Sequence, residues 1–582
     1  MCVKKQSKQN FLQGAAILLL SMIVVKLIGA VFKMPLGNIL QESGMAYFSA
    51  SYNLFTTVYA LTVTGLTTAV ARMVAACSAK GRYRDCRNIL RMAKKIFVVL
   101  GAAGTLVMLA GAKLFASGAG LPSAVYAILV MAPAIFFSCL MATYRGYYEG
   151  LRNMIPSAVS EVVEVLAKLC MGLVFTFWVL RAGERSYAAN GTVFGIAVGE
   201  GELSAVLLPL AAAGAMAGVT VSTCVGFLYL FWHNKRCGDG FTDAELKNSP
   251  RPVRGRTIVN TLVKTALPIT LSAVVINLTG MIDLFSVMNR LHHAIAAAPA
   301  YFERVYGAFL QDNGADMAEY IYGGYTMAAP IFGLIPSFTT LFGKSALPNI
   351  TQAWVAGNRH ALKINVASVF RMTSLISFPA GIGLTVLAKP IAELLYPSVE
   401  GAALTVGLPL QTLGISAVFL SLIAPLYAML QAMGRFDLPV KFMLVGAVIK
   451  LGTNFVLVGI PQINISGAAI GTAACYAVIL VFCLRALVKI TGLDFHFRTI
   501  ILKNTGCAVL CGAAAFAVNR FCDGRLAVLA AIAAAGVVYV AALLVLRALT
   551  EEDVRMMPGG KRLAPMMKKL HLVERNETGI EE

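Results

Sequence analysis

The sequence predicts an all-α polytopic membrane protein of about 14 transmembrane helices: two six-helix lobes related by a pseudo-two-fold axis, plus two C-terminal helices. Three observations predict it. The 582-residue chain is 58% hydrophobic and only 13% charged, with mean hydropathy +0.75, whereas a soluble chain carries about a quarter charged residues. Its apolar residues recur as runs of ~20 or more, the length that crosses ~30 Å of hydrocarbon. Finally, the lysines and arginines are confined to alternate loops between those runs.

Read in order, the spans fall at approximately 11–36, 45–74, 95–116, 123–144, 154–181, 202–232, 259–290, 322–351, 365–388, 404–431, 438–459, 464–489, 501–519 and 525–548. MCVKKQSKQN opens like a signal peptide, but the apolar run continues past Lys26 and Lys33 without a small-residue cleavage site, so a retained first helix is expected. One set of loops holds Lys4, Lys5 and Lys8, then KGRYRDCRNILRMAKK, Arg145 and Arg152, HNKRCGDGFTDAELKNSPRPVRGR, Arg359 and Lys363, Arg435 and Lys441, and Arg485 to Lys503. The opposite set, from NILQESGM to PQINIS, is nearly free of them apart from residues such as Arg185 and Arg304. Both termini are therefore expected in the cytoplasm, and the net charge of +21 reads as topogenic, not as a nucleic-acid footprint.

Weak internal repetition sets the domain organisation. Tyr47 to Gly65 and Tyr325 to Gly343 share one offset, GLRNMIP and GRFDLPV repeat an arginine and a proline, and Lys168 and Lys450 fall on corresponding helices. An even number of spans separates the copies, which makes them parallel repeats. The expected division is residues 1–232, a cytoplasmic linker 233–258, residues 259–490, two additional helices in 491–549, and a polar cytoplasmic tail 550–582. We expect a monomer.

Motifs for chemistry are sparse. GKS at Gly343–Ser345 lacks the first glycine of a phosphate loop, Phe338 standing in its place, and neither a zinc-protease motif nor a nucleophile elbow occurs. No enzyme, cofactor or metal is expected, and the twelve cysteines read as small buried hydrophobes. ATP hydrolysis has little support, so an ion gradient with Na+ or H+ as a coupling ion, the membrane potential and consumption of the substrate are the open sources of energy.

Ionisable residues inside spans are the functional candidates, since one at the bilayer centre costs ~2.5–3.5 kcal/mol. Lys26 and Lys33 share a face of the first span, Lys26 lying ~20 Å in from Phe11. Asp283 and Arg290 share a face of the seventh; Lys344 sits toward the inner end of the eighth, and Lys450 stands alone in the eleventh. On the fifth, Glu161, Glu164 and Lys168 form a stripe in which Glu164 and Lys168 have the favourable i,i+4 ion-pair spacing; a structural pair and a coupling-ion site are both open readings. Positive charge kept at such depth suits an anionic cargo, with phosphate or pyrophosphate a fitting partner for lysine.

FLQGAAILLLSMIVVKLIGAVFKMPLGNIL, LTVTGLTTAVARMVA, LPITLSAVVINLTGMIDLFSVMNRL and YGGYTMAAPIFGLIPSFTTLFGKSALPNI resemble the stage V sporulation protein B branch of bacterial polysaccharide exporters. That branch belongs to the MOP superfamily, with lipid II flippases, O-antigen flippases and MATE antiporters. The resemblance covers nearly all of the first twelve spans. It implies a MATE-like alternating-access fold and transbilayer movement of an undecaprenyl-pyrophosphate-linked saccharide, such as lipid II, for peptidoglycan, spore cortex or polysaccharide. It also implies membrane lipid and cell-wall synthases as partners. By resemblance Lys26 and Lys33 match the paired basic residues proposed to hold the pyrophosphate, and Asp283 and Arg290 match the acid and arginine of the seventh helix. Where lipid II flippases carry an arginine in the second helix, this chain has Tyr59 and Ala60, so their basic triad is not reproduced. In those flippases the two extra helices form a groove with the second lobe for the prenyl tail. A cation-coupled multidrug antiporter is the alternative, and a non-transporting envelope scaffold a third reading.

Overall fold

A computed structural model describes residues 11–199, 202–310, 316–495, 497–522 and 524–546. Among them, thirteen segments are long and apolar enough to cross a membrane. The first, Leu20–Ala79, accounts for two of the fourteen expected spans: its 60 residues would reach ~90 Å as one straight helix. Within it α1 (Phe11–Tyr59) breaks at Gln41, whose φ of 54° lies in the left-handed region that non-glycine residues rarely adopt. The Phe32 and Phe48 rings, which a straight helix would hold ~24 Å apart, lie 6.2 Å apart, so the chain doubles back at the break. The expected loop NILQESGM is thus helical on both sides of a single residue. Glu42 and Ser43 are buried there, and the Glu42 carbonyl presses on Gly323 so closely that any side chain at 323 would collide with it.

Beyond α1, a π-helical turn (Ala60–Thr64) leads into α2 (Gly65–Ala79), followed by α3 (Tyr83–Gly118), α4 (Val125–Met131) and α5 (Pro133–Gly150). The last two make one span interrupted at Pro133, which has no N–H to bond back. Then come α6 (Ile155–Asn190), a hairpin of β1 (Thr192–Val193) and β2 (Ile196–Ala197), α7 (Leu203–Cys237), α8 (Asp243–Lys247), α9 (Gly255–Ala297) and α10 (Pro299–Tyr306). The chain continues with α11 (Met317–Val355), α12 (Arg359–Val386), α13 (Ala388–Leu395), a second π turn (Ala403–Gly407), α14 (Leu408–Ala432), α15 (Asp437–Leu457), α16 (Ser466–Thr491), α17 (Phe497–Phe521) and α18 (Arg525–Val545). Several helices overrun their expected spans, α3 by a dozen residues at its start and α6 by nine at its end. Hydropathy sees only the part in hydrocarbon, while the charged ends stay helical in water. GKS is helical within α11, so it forms no phosphate loop. Lys4, Lys5, Lys8 and the tail 550–582 lie outside the described residues.

Packing yields two compact units, one running through Met327 and taking in Val458–Asn464, the other comprising Ala328–Leu457 and the chain from Ile465 onward. The division falls inside α11 and differs from the repeat boundary near 233–258. In the first unit α6 and α7 pack most intimately, Gly218 lying directly on the backbone of Gly172. Replacing Gly218 by leucine is expected to cost about 1–3 kcal/mol or more through overpacking, read as a lowered Tm in detergent.

The linker after α7 is strapped to the charged end of α3. Arg87 donates to both Asp239 carboxylate oxygens at 2.6 and 2.9 Å, the Tyr147 hydroxyl donates to Asp239 at 3.2 Å, and the Val253 N–H donates to the buried Asp85 at 2.7 Å. Burial works against the Asp239 charge, but the Arg87 bonds outweigh it and hold the carboxyl below its usual range.

In the second unit α17 and α18 pack on each other and on α12, with Asn504 bonded to Ser374 and the Tyr539 hydroxyl donating to the Leu375 carbonyl at 2.8 Å. Cys507 and Cys511 are buried among the apolar residues of these helices.

The turns that enter α6 and α15 are alike. Arg152 and Gly434 both have positive φ, and the next residue in each, Asn153 or Arg435, donates its N–H to the carbonyl five residues back. The helices then begin at Ile155 and Asp437, and Lys168 and Lys450 sit at the same distance beyond. The repeat register is therefore set by the cap, pairing Arg152 with Gly434 and not with Arg435.

Candidate functional site

Because α1 folds back at Gln41, Tyr52 is carried alongside Lys33, whose ammonium lies 5.4 Å from the centre of the Tyr52 ring. Lys168 of α6 reaches the same ring at 4.5 Å and the Phe32 ring at 5.4 Å. Lys26, two turns before Lys33 and exposed on the protein surface, is near enough to add its field to both Lys33 and Tyr52. A stripe of rings, Phe48, Tyr52, Phe55 and Tyr59, runs along this part of α1 with centroids 5.8–6.0 Å apart.

The expected pairing of Glu164 with Lys168 does not occur. Arg145 of α5 takes Glu164 at 2.8 Å and also donates to Ser160 at 2.8 Å, while Glu161 accepts from Ser21 of α1 at 3.1 Å. The cause is geometric. Residues four apart on a helix differ by ~40° in direction, so α6 can aim Glu164 at α5 while Lys168 faces α1. Lys33 and Lys168 are left with aromatic faces instead of carboxylates, none of which lies within 4.0 Å of either among the described residues. Two ammonium groups over one ring at these distances are at most about 10 Å apart, where like charges repel by about 2 kcal/mol at an effective dielectric near 20. Cation–π attraction returns about 0.5–2 kcal/mol each, which holds the arrangement without neutralising it.

Asp283 of α9 accepts from the Tyr325 hydroxyl at 3.3 Å and lies in the field of Tyr322, both on α11. Arg290, two turns along α9, packs its guanidinium against the backbone of Gly459. The same first unit holds a bond between the Tyr47 hydroxyl and Glu319. Lys344 and Lys450 belong to the second unit: Lys344 is exposed on α11, and Lys450 is 4% exposed on α15, one turn before the fully buried Asn454. Within the first unit the structure thus brings Lys26, Lys33 and Lys168 into one cluster and sets Asp283 and Arg290 along one helix, while Lys344 and Lys450 belong to the second unit.

A family model described as polysaccharide biosynthesis protein matches residues 11–354, more than half of the chain and all the residues of the lysine cluster. The chain belongs to the polysaccharide biosynthesis protein family. A second model, MatE, matches residues 320–456 of this family member. Among curated relatives in Bacillus subtilis strain 168, stage V sporulation protein B is 25% identical over 566 residues, covering 95% of this chain and 98% of the relative. The lipid II flippase MurJ of the same organism is 25% identical over 511 residues, 85% of each chain. A solved structure of a lipid II flippase MurJ in an inward closed conformation superposes with TM-score 0.61 at 12% identity, covering 92% of this chain and 98% of that one. The chain is a multi-pass membrane protein that shares its fold with that solved flippase.

Two members of the polar architecture escape a reading by spans. Tyr52 was signalled only by the spacing of its aromatic stripe, and Arg145 by its place in a basic loop. Arg145 lies inside α5, within the field of Tyr59.

Proposed function

We propose that this protein flips an undecaprenyl-pyrophosphate-linked saccharide, lipid II or a close analogue, across the bacterial cytoplasmic membrane by alternating access, supplying peptidoglycan, spore cortex or another polysaccharide. The observation that carries this reading is the meeting of Lys33 and Lys168 over the Tyr52 ring, with no carboxylate within 4.0 Å of either among the described residues. A pyrophosphate supplies the missing negative charge, and lysines serve it as point-charge donors. Lys26 forms the approach to the cluster. Arg290, Lys344 and Lys450 are further phosphate or saccharide contacts, and Asp283, held by Tyr325, takes a sugar hydroxyl or tunes Arg290. The moving bodies are the two six-helix repeats, 1–232 and 259–490, with both termini cytoplasmic. The names of stage V sporulation protein B and lipid II flippase MurJ support the cargo class, and synthases that consume the flipped lipid are the natural partners.

The MatE match keeps a cation-coupled antiporter as the second reading. Its acidic candidates are largely engaged, Glu164 by Arg145 and Glu161 by Ser21.

The test is a proteoliposome with fluorescent lipid II in one leaflet. Leaflet exchange by the wild-type protein, reduced at least tenfold in Lys26→Ala at equal abundance, is the expected result. Normal exchange by Lys26→Ala would remove that lysine from the pathway. Failure of the folded wild type under Na+, H+ and potential gradients would shift the reading to the antiporter.

A further inference from the structure

Helices α16 and α17 are joined by only a few residues, yet they part. The α16 helix packs on α14 and α15, whereas α17 is drawn onto α12 and α18, and the Phe497 ring at its start lies 4.5 Å from the Phe370 ring of α12, tilted by 55°. The wedge left at this end of the two helices is a groove of about 640 Å³. Its walls are apolar, with Leu484 and Val488 from α16 and Ile501 and Leu502 from α17, and Leu502 is 73% exposed, so the groove opens sideways. On its α16 edge stand two exposed cations one turn apart, Arg485 and Lys489, the second in the last turn of the helix. Among the described residues neither has a carboxylate within ion-pair distance.

We propose that this groove is a binding site for an anionic phospholipid, its phosphate on Arg485 and Lys489 and an acyl chain laid between α16 and α17. The walls exclude a water-soluble ligand. A groove open toward hydrocarbon is filled by lipid, and paired cations at its rim select a negative headgroup over a zwitterionic one by charge complementarity. The site shares no residue with the cargo cluster on α1 and α6. It places the lipid in the leaflet of the basic loops, the cytoplasmic one in the orientation proposed above.

The test uses the full-length protein in detergent, with phosphatidylglycerol or phosphatidylcholine added and retained lipid counted by native mass spectrometry. Phosphatidylglycerol should be retained at least tenfold more strongly, an advantage largely lost in R485Q/K489Q, at about fivefold for each cation removed. The variant R359Q/K363Q removes an equally spaced cation pair from the start of α12 and should leave retention unchanged. Leu502→Trp, which fills the groove and keeps its charges, should also lower retention, and it carries the test if the double variant does not fold. Equal retention of the two lipids, an equal loss in R359Q/K363Q, or full retention in Leu502→Trp would each overturn the proposal. So would displacement of phosphatidylglycerol by an equimolar amount of undecaprenyl phosphate, which would give the groove to the cargo. None of these results depends on whether the protein flips lipid II.

Discussion

Replacing Lys33 and Lys168 together by glutamine is expected to reduce lipid II flipping at least ~100-fold without lowering the stability of the protein. Each ammonium offers a charge-assisted hydrogen bond to a phosphate oxygen worth about 1.5–3 kcal/mol, so losing two corresponds to roughly 10²-fold or more. The stability half of the expectation follows from the balance of forces on the two lysines. The two lysines face one ring with no acid in ion-pair distance among the described residues, and their mutual repulsion roughly offsets the cation–π attraction to Tyr52 and Phe32. A purely structural role for Lys168 predicts the opposite pattern, a lower Tm with transport that follows the amount of folded protein. Flipping per folded molecule and Tm in detergent, measured on the single and double variants, separate the two. A double variant that melts several degrees lower and flips normally once folded would show the lysines to be packing residues.

The helical course was legible because fourteen hydrocarbon-length runs and an alternating charge pattern are properties of composition, which no tertiary contact can disguise. Three features were not. The return of the chain was expected over NILQESGM, but not its form: one residue at positive φ, Gln41, braced by Glu42 against Gly323, does what a glycine or proline would have announced. The partner of Glu164 was misread because i,i+4 spacing offers only a local option, and Arg145, brought in from α5, provides a nearer and bidentate-capable one. Tyr52 carries no charge and sits among other aromatics, so nothing local distinguishes it from core; only the fold of α1 brings Lys33 over it. Lys26, Lys33, Asp283 and Lys450 were visible as single ionisable residues in apolar runs. Which of them meet is a tertiary property, and it assigned Lys168 to the cluster of the first unit, while Lys450 belongs to the second.

The Arg145–Glu164 pair supplies the largest expected stability effect. Both side chains are mostly buried, with exposures of 12% and 25%, in the half of the first unit where α5, α6 and α1 meet. Glu164→Ala leaves a guanidinium with Ser160 and the more distant Glu161 for company, and removing one partner of a buried pair costs about 3–5 kcal/mol. Replacing both partners by apolar residues of similar size, R145M/E164L, removes the desolvation penalty along with the attraction and should recover most of that loss. The cycle of single and double variants therefore measures the pair, and transport by the double variant decides its role. A structural brace predicts that R145M/E164L folds and still flips lipid II with unchanged dependence on Na+ and pH. If Glu164 is the coupling site, the same variant folds but its transport no longer responds to the ion gradient, and the pair is then the place where the driving ion competes with Arg145 for the carboxylate.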